Sequence, residues 1–302
     1  MFVACVMSAC ALMAEASPAR MPVILTSDCG TEIDDQWAVA HLALSPRVEL
    51  RGVVTTHAPG LTSDASARAV RLILDQSARG SIPVLAGSSI PLADRTKPLR
   101  NAGVDFIIEQ SKHFSAKNRL RLFVIGAATD AASALLVDPT LADRVAIIAM
   151  GFESWPKGGP EWNVKNDGRA WQVLLDSNVP IVVADAAIAK KSLLMTPDDV
   201  VKRLAHRAEP GPTLVAQFND WMTKHPDAGK SVTGLDKHWP IWDEATTAYL
   251  LGFAHAESHP RPTLRDDLIF DLAHPRGTIE WITSIDAPAL WDDLAKSIDA
   301  PR

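Results

Sequence analysis

Four carboxylates close together make residues 23–37 the stretch best suited to carry out chemistry. Asp28, Glu32, Asp34 and Asp35 fall within a span of eight residues. Acids this close repel one another unless a cation or protons are shared among them. One interpretation is a hard-metal site with a spare carboxylate for base catalysis. The other is that Asp34 and Asp35 only cap a helix N-terminus, where carboxylates accept backbone N–H bonds.

The sequence around these acids has the pattern of a strand, a loop and a helix. An apolar run rich in β-formers, Val23 to Leu25, leads into the acidic loop, and residues 37–44 form a mostly apolar helical pattern. In an open α/β sheet, ligands bind at the carboxyl ends of the strands. The pattern therefore places the acids where a ligand would bind.

The remaining sequence alternates between apolar strand-like runs and helical patterns. This alternation predicts one α/β domain with a mostly parallel, Rossmann-like central sheet and helices on both faces. We expect helical structure over 211–256, broken by a polar loop at 224–240, and then a strand pair near 268–284 and a helix over 287–297. The earlier strands are expected at 48–56, 82–87, 120–125, 145–150 and 179–184, and the helices at 63–78, 103–113, 131–137, 169–177 and from 197 onward.

Composition excludes some partners. The 302 residues carry a formal net charge of −6, with 47% hydrophobic and 22% charged residues, and no cluster of Lys or Arg is dense enough to follow phosphates. Nucleic-acid binding is therefore not expected. No apolar run outside the first twenty residues approaches the length of a membrane span.

Residues 1–20 have the pattern of a secretory signal peptide. An apolar stretch from Phe2 to Ala14 runs into Ala14-Glu15-Ala16, a small-x-small cleavage site, although the usual positive charge at the start is missing. We expect an exported protein, periplasmic or secreted, with residues 21–302 as its domain; without a functional leader it would be cytoplasmic. Removal of the leader leaves Cys29 as the one cysteine, so no internal disulfide is expected.

Several short motifs, in order, resemble those of the inosine–uridine-preferring nucleoside hydrolase superfamily, and the resemblance covers nearly all of the chain after residue 22. Residues 27–35 resemble the family's Asp-x-Asp-Pro-Gly-x-Asp-Asp signature with two extra loop residues. Residues 126–129 resemble its Gly-Pro-Leu-Thr turn, and 161–163 its Glu-Phe-Asn motif. The sequence 193–200 is similar to its Leu-Leu-Thr-Pro-Glu-Asp-Val run, and Trp242-Asp243 stands where the family has His-Asp.

This resemblance implies a calcium-dependent hydrolase that cleaves the N-ribosidic bond of a nucleoside or related ribosyl compound. Asp34 would be the general base that takes a proton from a water activated by Ca²⁺. The resemblance assigns the metal to the carboxylates of Asp28, Asp35 and Asp243 and the main-chain carbonyl of Thr129. It assigns the sugar to Glu161, Asn163 and Met150.

The departures from the family pattern leave the leaving group without its usual acid. Trp242 replaces the histidine that protonates the base in some members; an indole can stack on an aromatic base but cannot donate a proton at neutral pH. His57 and His238 are possible substitute acids, and Thr26 replaces the first aspartate of the signature.

Two other functions fit the same residues. One is a noncatalytic protein that binds a nucleoside or sugar, which the loss of the histidine favours. The other is a metal phosphohydrolase, which would need a cation near the phosphate; Lys165 and Lys190-Lys191 are the candidates. The expected partners are a small-molecule nucleoside or ribosyl substrate and further copies of the same chain in a homo-oligomer.

Overall fold

Short parallel strands form the centre of the protein. The structure, a computed structural model, describes residues 19–301, so the predicted leader lies outside the described residues apart from its last two positions. No helix in the described part of the chain is long and apolar enough to cross a membrane. The strands are β1 (Met21–Ser27), β2 (Val48–Thr55), β3 (Val84–Ala86), β4 (Leu120–Val124), β5 (Val145–Met150), β6 (Ile181–Ala184), β7 (Leu194–Met195), β8 (Trp239–Pro240), β9 (Ala254–Pro260), β10 (Thr263–Leu264), β11 (Phe270–Asp271) and β12 (Thr278–Ile285).

Eight of these strands form one sheet in the order β3-β2-β1-β4-β5-β6-β12-β9. All neighbours in it run parallel except β9, which pairs antiparallel with β12 at the edge. The strand order reverses between β1 and β4, which lie side by side: β2 and β3 lie on one side of this point, and β5 and β6 lie on the other. Such a reversal of strand order opens a crevice at the carboxyl ends of the strands.

Helices cover both faces of this sheet, as the sequence predicts. They are α1 (Asp35–Leu44), α2 (Ser63–Gln76), α3 (Ala102–Ser111), α4 (Thr129–Val137), α5 (Trp162–Asn166), α6 (Gly168–Asp176), α7 (Ala186–Ser192), α8 (Pro197–Leu204), α9 (Gly211–Lys224), α10 (Ala228–Thr233), α11 (Glu244–Leu250) and α12 (Ala287–Asp299), with a 3-10 helix at Pro139–Asp143. The apolar side chains of α1, α2, α7, α8, α9, α11 and α12 share one core cluster, and those of α3, α4 and α6 share the other.

The apolar runs form strands because both faces of the sheet are buried. Successive side chains of a strand point to opposite faces. Val23 and Leu25 of β1 accordingly join one core cluster and Ile24 joins the other, and all three have no exposed surface. The helix α1 is buried on nearly all sides, which explains why its sequence is apolar around its whole circumference.

The C-terminal part of the chain differs from the prediction. Residues 254–260 form β9 instead of continuing a helical region, and β9 pairs with β12. The predicted strand pair near 268–284 is therefore wrong in its pairing, because Phe270–Asp271 pairs with β10 instead. An edge strand with mostly exposed or half-exposed polar residues has little apolar alternation to reveal it. The helix α7, which follows β6 directly, was not predicted.

A buried ion network joins three helices behind the carboxyl end of β1. His41 of α1 donates from Nδ1 to Glu244 Oε2 of α11 over 3.0 Å and from Nε2 to Asp293 Oδ2 of α12 over 3.1 Å. Arg47 Nη2 lies 2.9 Å from Asp293 Oδ1. Burial alone would lower the pKa of His41, but the Glu244 carboxylate and the bond to Asp293 raise it to about 9. His41 is therefore a buried imidazolium at neutral pH.

We expect this network to make the stability of the protein fall on the alkaline side. The pKa of His41 is higher in the folded state, about 9, than the ordinary value of 6.5, so its contribution is complete below pH 6.5 and is lost as the pH rises to about 9. At 1.36 kcal/mol per pKa unit, the loss amounts to about 3 kcal/mol. Urea unfolding at several pH values across this window measures it.

The matched variants for this prediction are His41→Gln and His113→Gln, the second at an exposed position. His113→Gln is expected to keep the wild-type decrease in the free energy of unfolding between pH 6.5 and 9. His41→Gln is expected to be less stable at pH 6 and to lose the part of that decrease that His41 contributes, about 3 kcal/mol. An unchanged pH dependence in His41→Gln would show that the network is not the source.

Candidate functional site

A cavity of about 300 Å³ opens at the carboxyl ends of the central strands. Its wall comes from the loop after β1, the ends of β4 and β5, and residues of α5, α7, α10 and α11 or just before them. Carboxylates form much of the wall. They belong to Asp28, Glu32, Asp34, Asp35, Glu153, Glu161 and Asp243.

Three of these carboxylates lie close enough together to bind one cation. One oxygen each of Asp34, Asp35 and Asp243 can be chosen so that all lie within 4.8 Å of one another. The three side chains are 5%, 3% and 2% exposed. Hard divalent cations such as Ca²⁺ prefer carboxylate oxygens of this kind. The structure thus joins the acidic loop to an aspartate that is distant in sequence.

Asp34 and Asp243 occupy helix N-cap positions without capping their helices. Asp34 precedes α1 and Asp243 precedes α11, and neither side chain accepts a capping hydrogen bond. Asp185 and Asp286 behave differently: they precede α7 and α12 and accept bonds from Ile188 N and Ala289 N. A role as helix caps therefore does not account for Asp34 and Asp243, whose carboxylates face the cavity.

Two carboxylate oxygens of the cavity wall are buried without a hydrogen-bond partner. They are Oδ2 of Asp28 and Oδ2 of Asp243. A buried acceptor left unpaired destabilises the folded state, and more so when it is charged. A cation among these side chains would remove that cost, so the residues fit a metal ion.

Burial and mutual repulsion raise the pKa values of the whole cluster. Burial raises the pKa of Asp34 to about 6. Burial, followed by the charge of Asp34, raises the pKa of Asp28 and that of Asp243 well above the usual range. Burial, followed by the charge of Asp28, also raises the pKa of Asp35 well above the usual range. The hydrogen bond that Ser27 Oγ donates to Asp35 Oδ1 over 2.6 Å acts in the opposite direction. In the absence of a cation, the cluster binds protons.

Local backbone requirements explain two glycines near the cluster. A Cβ at Gly126, just after β4, would lie 2.7 Å from the backbone nitrogen of Asp28, so the loops after β1 and β4 meet only with glycine there. Gly30 has φ +110°, which other residues rarely adopt.

Thr26, which replaces the first aspartate of the signature, does not line the cavity. Its Oγ1 donates to Phe123 O and links β1 to β4.

The residues assigned to the sugar also face the cavity. Glu161 Oε2 accepts from Asn163 N at 2.9 Å and Val164 N at 3.2 Å, which caps α5, and burial raises the pKa of Glu161 to about 8. Asn163 Nδ2 donates to the carbonyls of Ile125 and Met150. These bonds hold α5 against the ends of β4 and β5 and fix both polar side chains at the wall.

The structure does not bring Thr129 into the cavity. Thr129 is the first residue of α4, and its Oγ1 donates to Asp167 Oδ2 over 2.7 Å. His57 lies behind it, with Nε2 donating to Thr129 Oγ1 over 3.1 Å, and burial lowers the pKa of His57. Ile125, whose carbonyl already accepts from Asn163, is the residue of this segment that lines the cavity. The family motif at 126–129 therefore locates this segment of the chain, but the residue of the segment that lines the cavity is Ile125.

His238 is likewise absent from the cavity wall. Its Nδ1 lies 2.7 Å from Asp236 O in the loop before β8. Trp242, in contrast, lines the cavity and packs edge-on against Trp239 at a centroid separation of 5.9 Å. Neither histidine proposed as an acid therefore lies in the wall that the structure describes, whereas the proposed stacking residue does.

Sequence reasoning missed several residues of the wall. They are Ala186 of α7, Glu153 after β5, Trp162 of α5, Ser231 and Val232 of α10, and Trp239. Lys190 of α7 also lines the wall, but the sequence indicated it only, together with Lys191, as a possible cation for a phosphate. The carboxyl end of β6 was predicted, and side chains just beyond it were therefore candidates. Without a prediction of α7, however, Lys190 and Lys191 could not be distinguished.

Comparisons with known proteins identify the family of the chain. The family model described as inosine-uridine preferring nucleoside hydrolase matches residues 23–292. The pyrimidine-specific ribonucleoside hydrolase RihA of Salmonella arizonae is 26% identical over 257 residues, covering 76% of this chain and 79% of that protein.

Two solved structures share the fold. A plant nucleoside hydrolase, PpNRh1, has a TM-score of 0.77 at 19% identity and covers 94% of this chain and 100% of its own. A purine-preferring ribonucleoside hydrolase from Gardnerella vaginalis has a TM-score of 0.76 at 18% identity, with 92% and 98% covered. The match to the family model spans most of the chain, and the chain therefore belongs to the inosine-uridine preferring nucleoside hydrolase family, whose members cleave the N-glycosidic bond of nucleosides.

Proposed function

We propose that this protein hydrolyses the N-ribosidic bond of a ribonucleoside with the help of a bound Ca²⁺. The observation that carries the proposal is the buried group of Asp34, Asp35 and Asp243, whose oxygens lie within 4.8 Å of one another in the wall of the cavity. Family membership supports the bond that is cleaved, and the chemistry of the donor set supports the metal.

The proposed ligands are Asp28, Asp35 and Asp243. Their carboxylates are hard oxygen donors, and the unpaired Oδ2 atoms of Asp28 and Asp243 are suited to a cation. When bound, Ca²⁺ lowers the pKa of a water molecule and anchors sugar hydroxyls. Asp34 belongs to the same close group, so its carboxylate is near enough to bind the cation as well as to act as the base. The calcium-binding experiment described below separates these two roles.

Asp34 is the proposed general base. It lies at the start of α1 without a capping bond, and its carboxylate lines the cavity close to those of Asp35 and Asp243, where it can accept a proton. In the reaction it accepts a proton from the attacking water. Glu161, Asn163 and Met150 line the same cavity and would position the sugar. The bond to the base would break through an oxocarbenium-like state.

Replacement of Asp34 tests its role as the base. Asp34→Asn keeps the shape of the side chain but removes the proton acceptor, so kcat is expected to fall by at least ~10²-fold, the lower range for a general base. Release of ribose from a panel of nucleosides in the presence of Ca²⁺ measures it. Asp198→Asn, at an exposed position in the first turn of α8, is the matched control.

Calcium binding by Asp34→Asn separates the two possible roles of this residue. The variant is expected to keep the stabilisation by Ca²⁺ that the wild type shows. Loss of that stabilisation together with activity would assign Asp34 to the metal and contradict its role as base. If the wild type binds nucleosides but releases no ribose from any of them, the protein is a binding protein and the proposed function is wrong.

Removal of the metal is expected to lower both activity and stability. A ligand at a concentration of 100 Kd stabilises the folded state by about 2.7 kcal/mol, which corresponds to roughly 5 °C or more in Tm for a domain of this size. A chelator should therefore abolish ribose release and lower Tm, and added Ca²⁺ should restore both.

The aspartates at two helix starts provide the control for this experiment. Asp243→Asn should lose the response of Tm to Ca²⁺, whereas Asp286→Asn, which can still cap α12, should keep it. Equal activity and Tm with and without a chelator would contradict the calcium proposal.

We also propose that the first twenty residues direct export. The apolar run and the Ala14-Glu15-Ala16 pattern support this. N-terminal sequencing of the protein from a fractionated bacterial host should find a mature chain that begins just after Ala16 in the periplasm or medium. An intact Met1 confined to the cytoplasm would contradict export.

A further inference from the structure

A single cationic side chain lines the otherwise acidic cavity. Among the wall residues that the structure describes, Lys190 is the one with a positive charge, and none is histidine, tyrosine or cysteine. Its ammonium lies 5.7 Å from the centroid of the Trp242 ring. That is near the outer limit of a cation–π contact, so the ring holds the ammonium only weakly.

The position of Lys190 in the cavity follows from how α7 is fixed. Asp185 caps α7 by accepting from Ile188 N over 2.7 Å and also accepts from Trp281 Nε1 over 2.7 Å. Ala186 N donates to Phe152 O over 3.0 Å, which ties the helix to the loop after β5. Residues four apart share one face of a helix, so Ala186 and Lys190 both face the cavity. Lys191 points to solvent and is exposed.

Neutralisation of the acidic cluster does not account for Lys190. In the part of the chain that the structure describes, its ammonium forms no ion pair within 4.0 Å, although Glu153 and Glu161 line the same cavity. A lysine ammonium carries three hydrogen-bond donors and no acceptor. These donors are therefore available to a ligand that occupies the space beside Trp242.

We propose that Lys190 binds and stabilises the departing nucleobase, at an oxygen that takes up negative charge. The inference deepens the proposed function and rests on it. A pyrimidine or purine base with a carbonyl group offers such an oxygen, and the indole of Trp242 offers a surface on which the base can stack. The pair Lys190 and Trp242 would then replace the acid that the family histidine supplies.

The proposed step balances without an added proton donor. The bond between C1′ of the ribose and the base nitrogen breaks, and its electron pair moves to the base, where it spreads onto the carbonyl oxygen. The water oxygen forms the new bond to C1′, and its proton moves to Asp34. Lys190 holds the anionic base until it is released, and the base nitrogen then takes a proton from solvent.

A comparison of two leaving groups tests this role. Uridine has a poor leaving group that needs stabilisation, whereas p-nitrophenyl β-D-ribofuranoside releases a phenolate that is stable on its own. Lys190→Met, which keeps the length of the stem, should lower kcat/KM for uridine by about 10²-fold, the lower range for loss of a donor directed at developing charge. It should leave kcat/KM for the p-nitrophenyl substrate close to that of the wild type.

Two further variants control for structural effects. Lys190→Arg keeps the charge and should recover most of the activity on uridine, and Lys191→Met should resemble the wild type with both substrates. Equal losses with both substrates in Lys190→Met, or no loss with uridine, would overturn the role of Lys190 while the proposed function stands. A wild type that cleaves neither of these substrates and releases ribose from no other nucleoside of the panel would overturn the proposed function and this inference together.

Discussion

Carboxylates that repel one another are held together in this protein by parts of the chain that are far apart in sequence. Asp34 and Asp35 come from the first strand–helix connection, and Asp243 comes from the start of α11. Burial and mutual repulsion raise the pKa values of Asp28, Asp35 and Asp243 well above the usual range. Folding therefore assembles a group of charges that only protons or a cation can stabilise. The repulsion among these carboxylates therefore favours the binding of a cation.

The rest of the fold maintains this arrangement without adding charge to it. Glu244 directly follows Asp243, yet its carboxylate turns away and binds His41, which lies two turns along α1 from Asp35. The imidazolium of His41 balances Glu244, so the helices that carry the two halves of the cluster are joined by an ion pair rather than separated by repulsion. Gly126 lets the loops after β1 and β4 approach closely. A side chain at Gly126 would therefore displace the loop that carries Asp28, although Gly126 is not part of the cavity wall.

The sequence was most informative where apolar runs and motifs coincide. The strands β1, β4, β5 and β6 are fully or largely buried, and their near-continuous apolar runs follow from that burial. The β9 edge strand is exposed on much of its surface and gave no comparable pattern. Motif matching located the segments of the site, but Thr129 and Ile125, four residues apart in one segment, face different surroundings. The sequence does not show which residues of a loop or a helix face the site. Lys190 is a second example, because α7, the helix that carries it, was not predicted.

The two kinds of charge in the cavity match the charges that develop as a glycosidic bond breaks. Positive charge grows on the sugar in an oxocarbenium-like state. The buried carboxylate of Asp34 favours that charge, since electrostatic stabilisation is strong where water is excluded. Negative charge grows on the base, and Lys190 is the side chain of the wall that favours it. Replacement of the family histidine by Trp242 therefore need not remove leaving-group stabilisation, because a cation in the wall can act on the departing base without transferring a proton.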